Sequence, residues 1–370
     1  MSHLLELQAV LFKIIHKKTK IIIYQKALPT TMNKGLISVV CPFRNEIGCL
    51  KEFLDSFINQ SYKRIEIILI DNDSSDGSEK IAKEYAKKHK FIKIYHIPHI
   101  PGTWATYLYI EGIRKATGEF FYMADANVKV DQDYFEKCLP HFKDPNVAGI
   151  VGYVKMWDTN SFIDKYRSVI WKLRYDDMAR IIQETNEGRL LARFMKRSTF
   201  NAVGGFDAEA GWAIDTYLNK EFLKRGYKLI YEPKAIWYHK WRDNIKSLWK
   251  YSYKFGKFNY GLAKTDKKQI LKIGFFLSPF IALIASIFNS YILLYIPLHV
   301  LVLLLHNFRI FLKAKGIEYR WYSFLGPIVA YTQGIPYGLG FIIGIFKKPE
   351  VPKNVIASED INLVTKRAKQ

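Results

Sequence analysis

A long stretch near the C-terminus carries no charged side chain. Between Lys272 and Arg309 there are 36 residues without Lys, Arg, Asp or Glu. A helix needs about 20 apolar residues to cross the hydrocarbon layer of a membrane, so this stretch predicts two short spans. Asn289 and Ser290 supply a polar turn between them. The alternative is a set of buried core helices in a soluble protein, which is disfavoured because soluble cores rarely continue so far without charge.

A second uncharged stretch of 26 residues lies between Arg320 and Lys347 and is interrupted by proline and glycine. It is consistent with one kinked span or with a re-entrant hairpin. The loop at 306–320 and the tail after Phe346 are both basic, which places both on the cytosolic side. A single span would separate them, whereas a re-entrant segment would not. The sequence thus predicts a transmembrane region of two to three hydrophobic segments at 271–346 and a basic cytosolic tail at 347–370.

The net charge of +22 is concentrated beside this apolar region. From Lys240 to Lys272, both included, there are ten Lys or Arg residues. Four of them recur at helical spacing: Lys246, Lys250, Lys254 and Lys257. They predict a basic amphipathic juxtamembrane helix at 243–270 that faces anionic membrane lipids, the alternative being a solvated helix face. No nucleic-acid partner is expected, because the basic residues crowd the membrane flank.

The N-terminal residues 1–34 mix apolar side chains with charged ones such as Glu6 and Lys13. They predict an amphipathic segment or a frayed tail, because they lack the uninterrupted apolar core and cleavage site of a signal peptide. The three cysteines form no CxxC pair. Neither a disulfide scaffold nor a structural zinc site is expected, and a reducing compartment fits better.

Before residue 243, short β-branched runs alternate with amphipathic helix patterns. Strands are predicted over Leu36–Cys41, Ile65–Ile70, Ile92–His96, Glu119–Ala124 and Lys228–Tyr238. Such alternation favours an α/β fold whose parallel sheet is covered by helices on both faces. In these sheets ligands bind at the C-terminal ends of the strands, and polar clusters follow several of the predicted strands here.

The first polar cluster begins at Asp71, directly after the second predicted strand. A carboxylate or amide there can hydrogen-bond a nucleotide base or its ribose, so Asp71 or Asn72 is the candidate for base recognition. The alternative is an Asx-rich turn in which Asp76 or Ser78 caps the next helix.

The second cluster is Asp125-Ala126-Asn127, after the fourth predicted strand. An acidic residue at this point is a natural ligand for a hard divalent cation that bridges two phosphates. Such a cation offsets the charge on a leaving nucleoside diphosphate. His239 follows a later strand and is a candidate contact for the cation or a phosphate. The alternatives are a structural Asp and a packed surface histidine.

The third cluster contains Gly204 and Gly205, which permit a tight turn beneath a bound substrate. Asp215 then opens an apolar-periodic helix. A carboxylate near a helix N-terminus stays ionised and could accept the proton of an acceptor hydroxyl. A residue that merely caps the helix would look the same in the sequence.

In this order the clusters resemble glycosyltransferase family 2, the inverting enzymes with the GT-A fold. The resemblance runs over residues 36–242, and four motifs carry it in the right order and spacing. They are the Asn-Glu turn in Ile37–Glu46, the nucleotide-binding segment Asp71–Ser78, the A-x-G-E-y…D-x-D run in Ala116–Asn127, and the GGFD turn Val203–Asp207 followed by Asp215.

The resemblance implies an α/β GT-A domain at 35–242, with a Rossmann-like, mostly parallel sheet, followed by the C-terminal transmembrane helices. It implies nucleotide binding by Pro42, Arg44, Asn45, Glu46, Asp71, Asn72, Asp73 and Asp125. It implies an Mg²⁺ or Mn²⁺ site at Asp125, Asn127 and His239, with Asp215 as the catalytic base. Contacts to the acceptor or the diphosphate are expected from Gly205, Arg193 and Trp212, with Arg197 or Lys196 as alternatives.

The expected activity is transfer of a sugar from a UDP- or GDP-linked donor to a lipid-linked or envelope glycan acceptor. The expected location is the cell membrane, as a multi-pass protein with a cytosolic catalytic domain. Asn127 and Ile214 replace acidic residues of the family motifs. The alternative is therefore a weakly active or inactive, membrane-bound nucleotide-sugar-binding protein. A processive synthase is disfavoured, because no QxxRW motif follows Asp215.

Overall fold

The computed structural model describes residues 32–99, 105–176, 181–182, 192–205, 214–259 and 267–346. Residues 1–31 of the predicted amphipathic segment, the predicted tail at 347–370 and Trp212 lie outside them. The chain divides into two compact units. Of the described residues, those within 1–97, 106–157 and 175–240 form the first unit, and those within 98–105, 158–174 and 241–370 form the second.

The described residues contain one sheet, which lies in the first unit. Its strands are β1 Asn33–Phe43, β2 Ile65–Asp71, β3 Ile92–His96, β4 Gly118–Met123, β5 Val128–Val130, β6 Val147–Met156, β7 Ile181–Ile182, β8 Phe194–Lys196 and β9 Lys228–His239. They pair in the order β3-β2-β1-β4-β8-β6-β9-β5, and β7 pairs with β9. The five predicted strands are confirmed, with bounds that differ by three residues or fewer.

Helices surround the sheet and also build the second unit. They are α1 Leu50–Ile58, α2 Ser78–Lys88, α3 Ala105–Lys115, α4 Tyr134–Cys138, α5 Phe162–Asp176, α6 Arg197–Ala202, α7 Ile214–Lys224, α8 Ile245–Asn259, α9 Lys267–Ala285, α10 Tyr295–Lys313 and α11 Gly326–Phe346. The α/β class predicted from the sequence is confirmed by this arrangement.

The sheet is parallel on one side and mixed on the other. Strands β1, β2, β3 and β4 run parallel to one another. Strand β8 then enters antiparallel to both β4 and β6. Every residue of β2 is buried, as expected of a central parallel strand covered on both faces. The C-terminal ends of β1, β2, β3 and β4 therefore meet at one edge, where a ligand would bind.

Two helices in the second unit are long and apolar enough, by length and composition, to cross a membrane. They cover Ser290–Lys313 and Arg320–Phe346, whereas the apolar part of α9 at Ile270–Ala285 is shorter. The charge-free stretch thus contains one helix of sufficient length and one shorter helix. In this stretch a short 3-10 helix at Arg320–Leu325 leads into one α-helix, Gly326–Phe346, with Pro336 inside it, so the re-entrant hairpin is wrong.

Helices α8 and α11 pack closely through glycines. A Cβ atom on Gly256 would overlap the backbone carbonyl of Tyr337, and one on Gly340 would overlap the carbonyl of Tyr253. Small residues allow such close approach of two helices in membrane proteins. On α8 the side chains of Lys246, Lys250 and Lys254 are exposed, as the basic stripe predicts, although Lys257 is half-buried.

Substituting alanine for Gly256 is expected to separate α8 from α11. Overpacking at a close contact costs about 1–3 kcal/mol, so the variant should unfold at a lower temperature. Gly274→Ala is the matched control, because a Cβ there meets nothing within 4 Å. The measurement is thermal unfolding of the detergent-solubilised protein. Equal midpoints for the two variants would contradict the close packing.

Candidate active site

Two loops at the C-terminal ends of β1 and β2 are joined by hydrogen bonds. Asn45 has a left-handed backbone conformation (φ 57°), and its side-chain oxygen accepts from the Ser75 amide at 2.8 Å. The Asp76 carboxylate accepts from the amides of Ile47 at 3.0 Å and Ser78 at 2.9 Å. This loop pair contains six of the predicted nucleotide-binding residues: Arg44, Asn45, Glu46, Asp71, Asn72 and Asp73.

Asp76 holds the two loops together as a carboxylate. Desolvation raises the pKa of Asp76, but the hydrogen bonds from Ser78 and Ile47 outweigh it and hold the pKa below its ordinary value. Helix α2 begins directly after Gly77, which has a φ of 97°, and no side chain caps it there. Asp76 therefore braces the neighbouring loop and also accepts from the first amide of α2, as the Asx-turn alternative expects.

Asp71 is the last residue of β2, and its side chain is buried. One carboxylate oxygen accepts from the Ser74 amide at 3.2 Å. The other lies 3.2 Å from Nδ1 of His96, at the end of β3. Nε2 of the same imidazole lies 3.0 Å from a carboxylate oxygen of Asp73. His96 thus bridges two predicted nucleotide-binding residues.

Asn72 fixes the path of the chain beyond β2. It is buried, its backbone amide donates to the Phe43 carbonyl at 3.0 Å, and its side-chain nitrogen donates to the Ile97 carbonyl at 2.9 Å. These bonds tie the end of β2 to β1 on one side and to the residue after β3 on the other. The neighbouring Asp71 and Asp73 are held in place as a result.

One group of acidic and imidazole side chains in the described residues could hold a metal ion. Ligand atoms of Asp71, Glu79 and His96 all lie within 4.8 Å of one another. Sequence reasoning missed Glu79 and His96. A signal was present for His96, because it ends a predicted strand and so must reach the same sheet edge as Asp71.

Asp125 follows β4 and has two protein partners. The Tyr109 hydroxyl donates to one carboxylate oxygen at 2.8 Å, and Nη2 of Arg193 lies 2.9 Å from the other. The Arg193 side chain is 11% exposed and that of Asp125 is 40% exposed. Desolvation raises the pKa of Asp125, but the Arg193 guanidinium and the Tyr109 hydroxyl hold it below its ordinary value. Asp125 is therefore an anion already paired with a cation.

Strand pairing brings Asn127 and His239 to the same place as Asp125. Val128 of β5 lies opposite His239 of β9. The Asn127 side-chain nitrogen donates to the Lys240 carbonyl at 3.0 Å. His239 is buried, and its charge when protonated contributes to lowering the pKa of Asp125. The three side chains predicted to hold a metal thus belong to one turn and the adjacent strand.

These three residues fit a divalent cation by their chemistry. Because the Asn127 nitrogen is bonded to the backbone, its amide oxygen is left as an acceptor, and it receives no hydrogen bond from the described residues. Carboxylate and amide oxygens with one imidazole are ligands that Mg²⁺ or Mn²⁺ accepts. Arg193 competes for Asp125, so a cation there must displace or share this ion pair.

Arg197 does not belong to the site, contrary to the sequence interpretation that it binds the acceptor or the diphosphate. Its side chain is fully buried. Nε donates to the Gly118 carbonyl at 2.7 Å and Nη2 to the Ala116 carbonyl at 3.0 Å. A third bond joins Nη1 to the Ile113 carbonyl at 3.4 Å. The guanidinium therefore fixes the turn between α3 and β4, with its donors directed at the backbone.

The remaining predicted residues surround the GGFD segment. Gly204 and Gly205 have φ values of 86° and 72°, which side chains disfavour. Asp215 is the second residue of α7, and only its backbone position is described. Trp212 lies outside the described residues. Pro42 lies in β1 beside Ile70 of β2, next to the loops described above.

The fold and this sheet edge define the class of protein: an α/β nucleotide-binding domain with acidic loops at its strand ends. Residues 38–206 match the family model described as Glycosyl transferase family 2. The chain therefore carries a family 2 glycosyltransferase domain, which confirms the resemblance found in the sequence.

Two relatives illustrate the range of similarity. A dolichyl N-acetyl-alpha-D-glucosaminyl phosphate 3-beta-D-2,3-diacetamido-2,3-dideoxy-beta-D-glucuronosyltransferase of Methanococcus voltae is 23% identical over 85% of this chain and 98% of its own length. A poly-beta-1,6-N-acetyl-D-glucosamine synthase of Staphylococcus epidermidis is 26% identical over 58% of this chain and 52% of its own length. The first similarity extends over nearly the whole relative, and the second covers about half of it.

A solved structure has the same fold. The mannosyltransferase of Pyrobaculum calidifontis, in complex with GDP-Man and Mn²⁺, superimposes with a TM-score of 0.51 at 16% identity. The match covers 92% of this chain and 99% of that one. The predicted GT-A fold is thereby confirmed.

Proposed function

We propose that this protein is an inverting glycosyltransferase that uses a UDP- or GDP-linked sugar and a lipid-linked or envelope glycan acceptor at the cytosolic membrane face. The observation that carries the proposal is the convergence of the Asp71–Asp73 loop and the Asp125–Asn127 turn on one sheet edge of a family 2 domain. Similarity to the dolichyl-linked transferase over most of the chain supports the lipid-linked acceptor.

The donor nucleotide is assigned to the loops after β1 and β2. Asp71 and Asp73 would accept hydrogen bonds from the base and ribose, with His96 between them. Pro42, Arg44, Asn45 and Glu46 form the other side of this region. The loop-to-loop hydrogen bonds support this role, because a preorganised site loses less conformational entropy when it binds.

The reaction is a single displacement. The acceptor hydroxyl oxygen would form a bond to the anomeric carbon while the bond from that carbon to the diphosphate oxygen breaks. Asp215 would accept the hydroxyl proton, and the electron pair of the broken bond leaves with the nucleoside diphosphate. Because the hydroxyl oxygen attacks the face opposite the leaving diphosphate, the configuration at the anomeric carbon is inverted. Gly205, Arg193 and Trp212 are proposed to contact the acceptor or the diphosphate.

Asp125, Asn127 and His239 are the residues proposed to hold a divalent cation. When bound, the cation supplies positive charge beside the leaving diphosphate. Arg193 would then release Asp125 and turn its guanidinium toward a phosphate oxygen. Support for this comes from the chemistry of the three donors and from the Mn²⁺ present in the mannosyltransferase of the same fold.

Membrane attachment is proposed through the apolar helices of the second unit. Ser290–Lys313 and Arg320–Phe346 have the length and composition of membrane spans, which supports association with a membrane. The exposed lysines of α8 would face anionic headgroups on the cytosolic side.

A weakly active nucleotide-sugar-binding protein is the second proposal. Asn127 stands where a carboxylate is common in the family, and Asp125 is neutralised by Arg193. Both features reduce the negative charge available to a cation.

The test is hydrolysis and transfer from a panel of UDP- and GDP-sugars, with Mg²⁺, Mn²⁺ or a chelator, and with a membrane lipid extract as acceptor source. Metal-dependent consumption of one donor together with a glycosylated lipid is the expected result. Donor binding without consumption would favour the binding protein. Absence of donor binding across the whole panel would refute both proposals.

A further inference from the structure

A half-buried arginine in the second unit has no ion-pair partner among the described residues. Arg167 lies on α5, and its Nε and Nη2 atoms are buried without a hydrogen-bond partner in the described residues. No ion pair involving Arg167 occurs in the described part of the chain. Desolvation lowers the pKa of Arg167 to about 10, so the guanidinium remains charged at neutral pH. A buried charge without a partner is costly, which points to a missing anion.

The nearest acidic group on the same helix is already engaged. Asp164 is buried, and its carboxylate accepts a hydrogen bond from the Ser161 hydroxyl at 2.8 Å. Desolvation raises the pKa of Asp164 despite the Ser161 bonds. This carboxyl therefore caps the start of α5, and its charge acts on Arg167 without forming an ion pair in the described residues.

The guanidinium of Arg167 lies against aromatic rings. The Cζ atom of Arg167 lies 4.4 Å from the centroid of the Trp241 ring. Trp241 packs edge-on against Trp171 at 6.1 Å and against Tyr251 at 5.5 Å. A second guanidinium, on exposed Arg242, lies 5.6 Å above the Tyr251 ring. A guanidinium stacked on a ring keeps its N–H edge available for a planar or tetrahedral anion.

The aromatic row continues to the apolar helix α11. Tyr251 stacks on Phe255 with 5.8 Å between ring centroids and 11° between the rings. Phe255 lies 5.9 Å from Tyr337 of α11. A ligand that placed an anionic group on Arg167 could therefore lay an apolar chain along these rings. A soluble anion without an apolar chain would contact the guanidinium but not the row of rings.

We propose that Arg167 and Arg242, on the row of rings Trp241, Tyr251 and Phe255, bind the phosphate group of a lipid. Guanidinium groups bind phosphate through two parallel hydrogen bonds, and this would satisfy the buried donors of Arg167. The inference rests on the membrane attachment and the lipid-linked acceptor of the proposed function. It assigns the acceptor's phosphate to the second unit.

The test measures binding to the full chain in detergent by titration calorimetry, with farnesyl phosphate, farnesol and inorganic phosphate as probes. Farnesyl phosphate should bind more tightly than either of the other two. Arg167→Gln should weaken it by about tenfold or more, because a hydrogen bond to a charged group contributes about 1.5–3 kcal/mol. Lys165→Gln is the matched control. It removes one charge from the same helix at a residue that contacts Tyr322 instead.

Arg242→Gln is the second variant, at an exposed position. It should also weaken farnesyl phosphate binding, while both variants retain nucleotide binding by the first unit. Wild-type affinity in both variants would overturn the proposal. Equal affinity for inorganic phosphate would assign the site to a soluble anion instead, and equal affinity for farnesol would eliminate the phosphate contact.

These measurements need no sugar transfer. Binding of farnesyl phosphate that depends on Arg167, in a protein that transfers no sugar, would refute the proposed function and keep the lipid site. If Arg167→Gln still transfers sugar and its farnesyl phosphate affinity is unchanged, the proposed function stands and the lipid site is refuted.

Discussion

Substituting asparagine for Asp215 is expected to abolish sugar transfer while donor binding persists. The residue occupies the first turn of α7, where the helix dipole stabilises an ionised carboxylate. An asparagine there keeps the size of the side chain but cannot accept a proton. Loss of a general base lowers turnover by about 10²–10⁴-fold. The measurements are the initial rate of nucleoside diphosphate release and the donor affinity by calorimetry.

Glu221→Gln is the matched control for this variant. Glu221 lies on the same helix and forms an ion pair with Lys224 at 3.0 Å. Its replacement makes the same change from carboxylate to amide, further along α7. The control should keep wild-type turnover. If Asp215→Asn also keeps wild-type turnover, Asp215 has no role as the base. If Asp215→Asn loses donor affinity as well, its effect is structural.

The strands were predictable because each is a run of buried, mostly β-branched or aromatic residues. Ile65–Ile70 was predicted and Ile65–Asp71 is found, so the candidate Asp71 ends the strand where the pattern ends. The order of the parallel half follows from the alternation of strands and helices. Local sequence pattern and tertiary structure agree in this half of the sheet.

The antiparallel half could not be predicted in the same way. Strand β8 has three residues and pairs with β4 across more than 70 residues of sequence. No local pattern specifies this pairing. The ion pair between Asp125 and Arg193 depends on it, because β8 begins directly after Arg193. The sequence suggested Arg193 as an anion-binding residue but could not indicate that its partner within the protein is Asp125.

The structure also assigns different partners to two arginines that the sequence does not distinguish. Arg193 and Arg197 are four residues apart, and both were considered as ligands of an anion. Arg197 is directed at three backbone carbonyls, whereas Arg193 reaches the carboxylate of Asp125. A helix or strand pattern assigns a side chain to a face, but it does not say which polar groups of the turn are left without partners.

Removing a carboxylate from the Asp125–Asn127 turn is expected to weaken donor binding, and adding one is expected to strengthen cation binding. Asp125→Asn removes the only carboxylate of the proposed cation ligands and breaks the ion pair with the guanidinium of Arg193. Charge-assisted hydrogen bonds contribute about 1.5–3 kcal/mol each, so donor affinity should fall by about ten- to a hundredfold. Asn127→Asp supplies a second carboxylate and should raise Mn²⁺ affinity by about tenfold, because affinity rises with ligand charge.

Asn146→Asp is the charge-matched control, since Asn146 is exposed on another loop of the same unit. The measurement is titration of Mn²⁺ into each variant with and without nucleoside diphosphate. Unchanged Mn²⁺ affinity in Asn127→Asp would mean that the cation does not bind at this turn. The group of Asp71, Glu79 and His96 would then be the remaining site, and His96→Asn should abolish Mn²⁺ binding. If Asn127→Asp raises the affinity and His96→Asn leaves it unchanged, the cation binds at the turn beside Arg193.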